Sequence, residues 1–309
     1  MSIEDLLMSF KSLLRRRRSH PAEVLLEVGA LAAEAIVFLN RSASVAPIRW
    51  RGSGDKSYSV FVRLDDERRW TRPLNNDLFT RDHAVFGREF QRLATSIARN
   101  QSQLVVSDIT PSEIDRSVYT AAMAFAATAD LFNPSRQLGG TFFEMIVGPT
   151  IAMLTGRKET GDVSIGIPGE EWETVKVDLT FHSADGPSLA VPTKISTRER
   201  ISQAFVHARI LDAAFPGQYK TILCIVNETN AFHVEGEVKG IASLYLRETL
   251  VPGTIALYQK YVAGLDGLYY LDPPEPYLAG RHPGLPPVRP FSSLLLGDLR
   301  QLLEVGGDE

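Results

Sequence analysis

Apolar positions in residues 173–196 recur every second residue, the period of a strand half-buried in a sheet. Val175, Val177, Leu179 and Phe181 share one face, and Thr174, Lys176, Asp178 and Thr180 the other. After a turn at Asp185-Gly186-Pro187 the alternation resumes: Leu189, Val191, Thr193 and Ile195 stand against Ser188, Ala190, Pro192, Lys194 and Ser196. The pattern predicts two neighbouring strands that push Asp178 and Lys194 out of one polar face. Elsewhere the period is helical. Residues 3–14 are amphipathic and end in Arg15-Arg16-Arg17-Arg18. A mostly buried helix is expected over 22–39, starting at Pro21. Further helices are expected over 85–100, from the Thr110-Pro111-Ser112-Glu113 start towards Phe132, and over 141–154. That last helix holds one acid, Glu144, and Gly156 ends it.

The remaining text is less regular. Short strands broken at 51–55 are expected over 46–64, a polar loop over 66–84, and short strands at 103–107, 221–226 and 268–271. A helix is expected directly after the second of the two strands, its first turns carrying Arg198, Glu199 and Arg200 and running to Leu211; others are expected over 240–249, 255–263 and 292–303, and largely extended chain over 272–290. No linker stands out, so the reading is one elaborated α/β domain over 1–309. Within it, 1–135 forms a mainly helical part and 136–309 the core.

Composition changes this picture little. A 309-residue chain with 44% hydrophobic residues can bury a sizeable core. The net charge of −4 argues against a general nucleic-acid coat protein but leaves room for a local basic patch. The tetrabasic run reads either as a solvated helix end, matched to the helix dipole, or as a contact to DNA phosphates. Arg68, Arg69 and Arg72 around Trp70 invite the same two readings. Cys224 is the single cysteine, which excludes an internal disulfide and any Cys/His zinc spacing, and its place in an apolar run reads as a buried structural thiol. No span of about 18 apolar residues and no secretory leader is visible, so a cytoplasmic protein with no membrane partner is expected.

Phosphodiester hydrolysis needs carboxylates to hold a hard cation such as Mg²⁺, and a cationic group to orient water and offset charge on phosphate. Asp178 and Glu144 fit the first role and Lys194 the second. The order helix Glu, strand Asp, strand Lys, then helix resembles the PD-(D/E)xK nuclease fold, a central mixed β-sheet flanked by helices. Arg198, Glu199 and Arg200 follow Lys194 at four, five and six positions. This spacing resembles the type II restriction endonucleases that read a CCGG or CCNGG core, where the same helix start carries an R-(D/E)-R recognition motif. Arginine can pair bidentately with guanine, and glutamate can accept from cytosine N4. Gln203, one turn on, is a candidate supporting contact.

The resemblance covers roughly residues 138–230. It implies a Mg²⁺-dependent double-strand DNA endonuclease, a homodimer on a two-fold symmetric site, and a host methyltransferase that is not a physical partner. The sequence also departs from the family. Pro192 stands two before Lys194, where the common motif has an acid. His207 stands thirteen after Lys194, where this family often has glutamate, and imidazole is a poor ligand for Mg²⁺. Glu171 and Glu173, just before the first strand, are the candidates for the third carboxylate, and Lys176 shares the face of Asp178. Two alternatives therefore stay open: a sequence-specific DNA-binding protein that no longer cuts, and a structure-selective repair nuclease. There is no phosphate-loop glycine motif, nucleophile elbow or zinc site to support an enzyme of another class.

Overall fold

The computed structural model describes residues 2–51, 55–132, 137–166, 173–196, 201–234 and 243–304. The chain opens with α1 (Ile3–Arg16), whose start is closed by a capping box between Ser2 and Asp5. α2 (Pro21–Ser42) follows with proline in its first turn. Then come β1 (Ala43–Trp50), β2 (Tyr58–Arg63), β3 (Asp66–Trp70) and β4 (Leu74–Asn75). α3 (His83–Arg99) is capped by Asp82, which accepts from the N–H groups of Ala84 and Val85. α4 (Pro111–Phe132) starts at Thr110 and Glu113, whose side chains exchange bonds with each other's backbone N–H. α5 (Gln137–Thr155) runs straight through Gly139-Gly140 and stops at Gly156, which has φ +65°.

The second half carries β5 (Glu159–Ile165), β6 (Glu173–Phe181), β7 (Ser188–Ala190), β8 (Thr193–Lys194), α6 (Ile201–Ala214), β9 (Tyr219–Ile225), β10 (Thr229–His233) and β11 (Leu244–Glu248). It continues with α7 (Pro252–Tyr261), β12 (Gly267–Tyr270), α8 (Glu275–Leu278), β13 (Val288–Pro290) and a helical segment over 291–303 bent at Gly297. Among the described residues the strands form two mixed sheets. The core sheet runs β13-β12-β9-β7-β6-β5, with β8 also paired to β9. The other runs β10-β11-β1-β2-β3, with β4 beside β2. α2, α4 and α5 pack together, and Phe10, Phe125 and Phe142 form an aromatic knot among the helices. Phe125 and Phe142 stack at 4.3 Å. No described helix is long and apolar enough to cross a membrane.

Four expectations need correction. The polar stretch 66–84 holds the strands β3 and β4, because β3 is an outer strand and exposes both its faces. Residues 103–107 form turns rather than a strand, with positive φ at Leu104 and at the flanking Ser102 and Asp108. The stretch 240–249 contains β11 instead of a helix. Leu244 and Leu246 are buried while Tyr245 and Arg247 face outwards, the period of a strand inserted between β1 and β10. The four strands of the N-terminal part share a sheet with β10 and β11. Finally, the strand expected over 188–196 is broken after Ala190, and its second piece, β8, pairs with β9 rather than β6.

The bent terminal segment is fastened to α4 by Asp115, which accepts from Ser292 N–H at 2.8 Å and from Ser292 Oγ at 2.6 Å. Burial pushes this carboxyl up from 3.8 to about 6, and the Ser292 bonds only partly oppose it. Its folded value thus lies above its unfolded one. The associated stability is fully present below pH 3.8 and is lost as pH rises through about 6, a term of roughly 3 kcal/mol at most. In Asp115→Asn this component disappears. Denaturant titrations of both proteins at intervals from pH 4 to 7 should show wild-type stability declining relative to the variant. Parallel curves would refute the assignment.

Candidate active site

The core sheet meets α5, two turns into the helix, at a cluster of opposed charges. Lys194 on β8 donates from Nζ to Asp178 Oδ2 on β6 at 2.7 Å, and the Thr193 N–H donates to the same oxygen at 2.9 Å. Although β8 and β6 are not paired, the break at Pro192 leaves Lys194 within reach of Asp178. The β8 backbone is held from the other side, where Val226 N–H donates to Lys194 O at 3.0 Å. Glu144, on α5, is the third member. Burial raises its carboxyl above the usual range and the charge of Asp178 raises it further, while Arg17 and Lys194 oppose the shift. The sequence-derived trio of Glu144, Asp178 and Lys194 thus lies within mutual electrostatic reach.

His207 joins them. Burial lowers its imidazole, Asp178 pulls it upwards and Lys194 pushes it down. It lies on α6, one turn beyond the exposed Gln203, so these two side chains share a helix face. Lys176 is exposed and pairs in register with Asp162 on β5. Glu173 is the exposed first residue of β6, five positions before Asp178. Strand geometry puts it on the opposite face, about 16 Å along the strand, so it does not complete the trio. Glu171, Arg198, Glu199 and Arg200 lie outside the described residues.

Three participants were not identified as site residues from the sequence. Arg17 is buried, not a solvated helix end: its Nη1 lies 3.2 Å from Glu144 Oε2 and its Nη2 2.8 Å from Glu159 Oε1. Arg18 Nε reaches the same Glu159 oxygen at 3.3 Å. Glu159, the first residue of β5, is 2% exposed, and burial raises its carboxyl against the pull of the two arginines. It lies against α5 at Gly148, one turn after Glu144; a Cβ there would stand 2.3 Å from Glu159 Oε2. The arginines and Glu159 line a cleft of about 220 Å³ that also takes in Gln101, Arg157 and Lys158. A signal for Arg17 existed. Leu6, Phe10 and Leu13 are the buried stripe of α1, and position 17 continues it at helical spacing. The other arginines around Trp70 do not form a free basic track: Arg72 binds Asp130 with two bonds of 2.7 Å, and Arg69 pairs with Asp66.

Among the described residues no group of three or more His, Cys, Asp or Glu side chains is placed to hold a metal ion. The donor set on offer is two carboxylates, Glu144 and Asp178. That set fits Mg²⁺, an ion commonly held by one or two carboxylates with water and substrate phosphate filling the rest of its shell. The neutral imidazole of His207 would be a poor third ligand for it.

No protein-family model matches the chain, and no curated protein matches it in sequence. Among solved structures, the chain is similar to the type IIP restriction endonuclease Kpn2I, with a TM-score of 0.76 and 25% identity. The match covers 97% of this chain and 97% of that one. The architecture described above is thus a restriction-endonuclease-like α/β fold along nearly its whole length. The complex of restriction endonuclease PspGI with substrate DNA overlaps at a TM-score of 0.42 and 15% identity, covering 71% of this chain and 91% of that one. That overlap is too loose to bear on fold or function.

Proposed function

We propose that this protein is a Mg²⁺-dependent endonuclease that cuts double-stranded DNA at a specific site with a CCGG or CCNGG core. The observation that carries the reading is the contact of Lys194 Nζ with Asp178 Oδ2 at 2.7 Å, beside Glu144. It occurs on a fold shared over 97% of its length with a type IIP restriction endonuclease. Asp178 and Glu144 would hold the ion, which when bound supplies positive charge to the phosphate and makes water more acidic. Lys194 orients the attacking water and offsets charge that develops on the phosphate. Arg198, Glu199 and Arg200 are assigned to reading C:G pairs on chemical grounds, with Gln203 in support. A two-fold symmetric target calls for a homodimer, each copy cutting one strand.

His207 favours one second reading. With an imidazole where a carboxylate is expected, the protein would bind its site without cutting it. Digestion of a long natural DNA with purified protein and Mg²⁺, beside an Asp178→Asn control, separates the two. Discrete bands that vanish in the control are the expected result, and their ends give the recognition sequence. Site-specific binding with intact DNA under every divalent ion tried would establish the second reading. Neither cutting nor binding would reject both.

A further inference from the structure

We infer that Arg17 is a positioning residue of the proposed cation site: it is the internal counter-ion of Glu144, competes with a divalent ion for that carboxylate, and is retained by Glu159 when Glu144 is given up. The inference rests on the proposed function only in taking Glu144 as a cation ligand.

The guanidinium bridges two carboxylates unequally. Its contact with Glu159 is the shorter, at 2.8 Å, and that with Glu144 the longer, at 3.2 Å. Glu144 is also the more accessible partner, its side chain 22% exposed against 2% for Glu159. An ion arriving from solvent therefore meets Glu144, the carboxylate that Arg17 holds less closely. Glu159 has acceptor capacity left over, because its Oε2 is buried and has no hydrogen-bond partner. An arginine cannot shed its charge at any working pH, so it stays a full positive charge beside the incoming ion. Lys194 stands in the same relation to Asp178. Both carboxylates of the proposed site are thus neutralised from within the chain when no ion is bound.

A plain structural salt bridge tying α1 to the core would contain the same contacts, but it predicts different behaviour on substitution. Loss of a structural tie can only loosen the site. Loss of a competing charge must improve it for cations. Conversely, Glu159→Gln removes the partner that draws Arg17 away, which leaves its charge uncompensated beside Glu144 and disfavours the ion.

The test is binding of Mn²⁺ alone to the metal-free, full-length protein, read by calorimetry and by the spin resonance of unbound Mn²⁺, with no DNA present. Circular dichroism and thermal melts establish that each variant is folded at the titration temperature. Arg17→Met is expected to bind Mn²⁺ about tenfold more tightly than wild type, a modest figure for removing a unit charge next to the ligand. Glu159→Gln is expected to bind more weakly, and Arg17→Lys, which keeps the charge, close to wild type. If Arg17→Met binds with unchanged or lower affinity, the inference fails while the cation site itself stands. If neither wild type nor any variant binds Mn²⁺, or if Glu144→Gln leaves binding untouched, the inference and the metal assignment fail together.

Discussion

Replacing Lys194 with alanine is expected to slow DNA cleavage about 10²–10⁴-fold, the range for losing a positioned group that manages a proton or water in the transition state. Affinity for the same duplex, measured in Ca²⁺ to prevent cutting, should change little. The separation follows from where Lys194 sits. Its side chain is only 18% exposed and is spent on Asp178 rather than offered to the surface. A lysine so placed contributes little to a long phosphate backbone and much to one phosphate at the carboxylates. The variant should still fold, since Asp178 keeps the Thr193 N–H and β8 keeps its bond from Val226 N–H to Lys194 O. A sharper form of the prediction uses both partners. Groups that act as a unit give losses that do not add. The double variant Lys194→Ala with Asp178→Asn should therefore be about as slow as the worse single one. Single-turnover rates for the three proteins decide it. Additive losses would mean that the two groups act at separate steps, and a Lys194→Ala protein that cuts at the native rate would remove lysine from the mechanism.

The sequence displayed this trio because each member sits in a short-period pattern. Asp178 and Lys194 occupy the polar phase of an alternating run, and Glu144 is the lone acid of an apolar helix. Local periodicity also set out α2, α3, α4 and β9 to within a few residues. What it could not display is pairing between distant segments. The Arg17–Glu144 contact joins residues 127 apart in sequence, and Arg18–Glu159 joins residues 141 apart. A run of four arginines looks uniform from composition, yet only position 17 falls on the apolar stripe of its helix. Strand β11 was misread for a related reason. Leu, Arg and Glu favour helix locally, but the gap between β1 and β10 offers ladder bonds on both sides, and tertiary pairing outweighs propensity differences of a few tenths of a kcal/mol. β3 was missed because a strand exposed on both faces carries no hydrophobic alternation. The Arg-Glu-Arg triplet remains a reading of sequence alone, since it lies outside the described residues.

The largest loss of stability is expected from Lys56→Met, at a junction no motif marks. Lys56 donates to Asp272 Oδ1 at 2.7 Å and to Pro273 O at 2.8 Å, and lies 3.7 Å from Glu248 Oε1. Tyr58, at the start of β2, donates to the other Asp272 oxygen at 2.9 Å. Asp272 follows β12 of the core sheet and Glu248 ends β11, so one ammonium joins the two sheets. Both acids are almost fully buried, with side chains 2% and 7% exposed. Removing the lysine strands their charge, and an uncompensated buried charge costs about 3–5 kcal/mol. For a chain of this size that corresponds to a fall in Tm of about 5–8 °C. The pH dependence identifies the cause. Burial already raises the Glu248 carboxyl and Lys56 holds it down, so the variant's folded value must rise further above the unfolded one. The stability this proton brings is present at acid pH and lost as pH rises, so the deficit against wild type should be smallest near pH 4 and grow towards neutrality. A deficit independent of pH would point to lost packing of the lysine stem instead. The junction also bears on the site. Asp272 N–H donates to Val226 O, and Val226 N–H donates to Lys194 O, so two ladder bonds separate the clamp from the proposed catalytic lysine. Well below its melting temperature the variant should still cut at the native rate per folded molecule, because those bonds are backbone bonds that the substitution leaves in place.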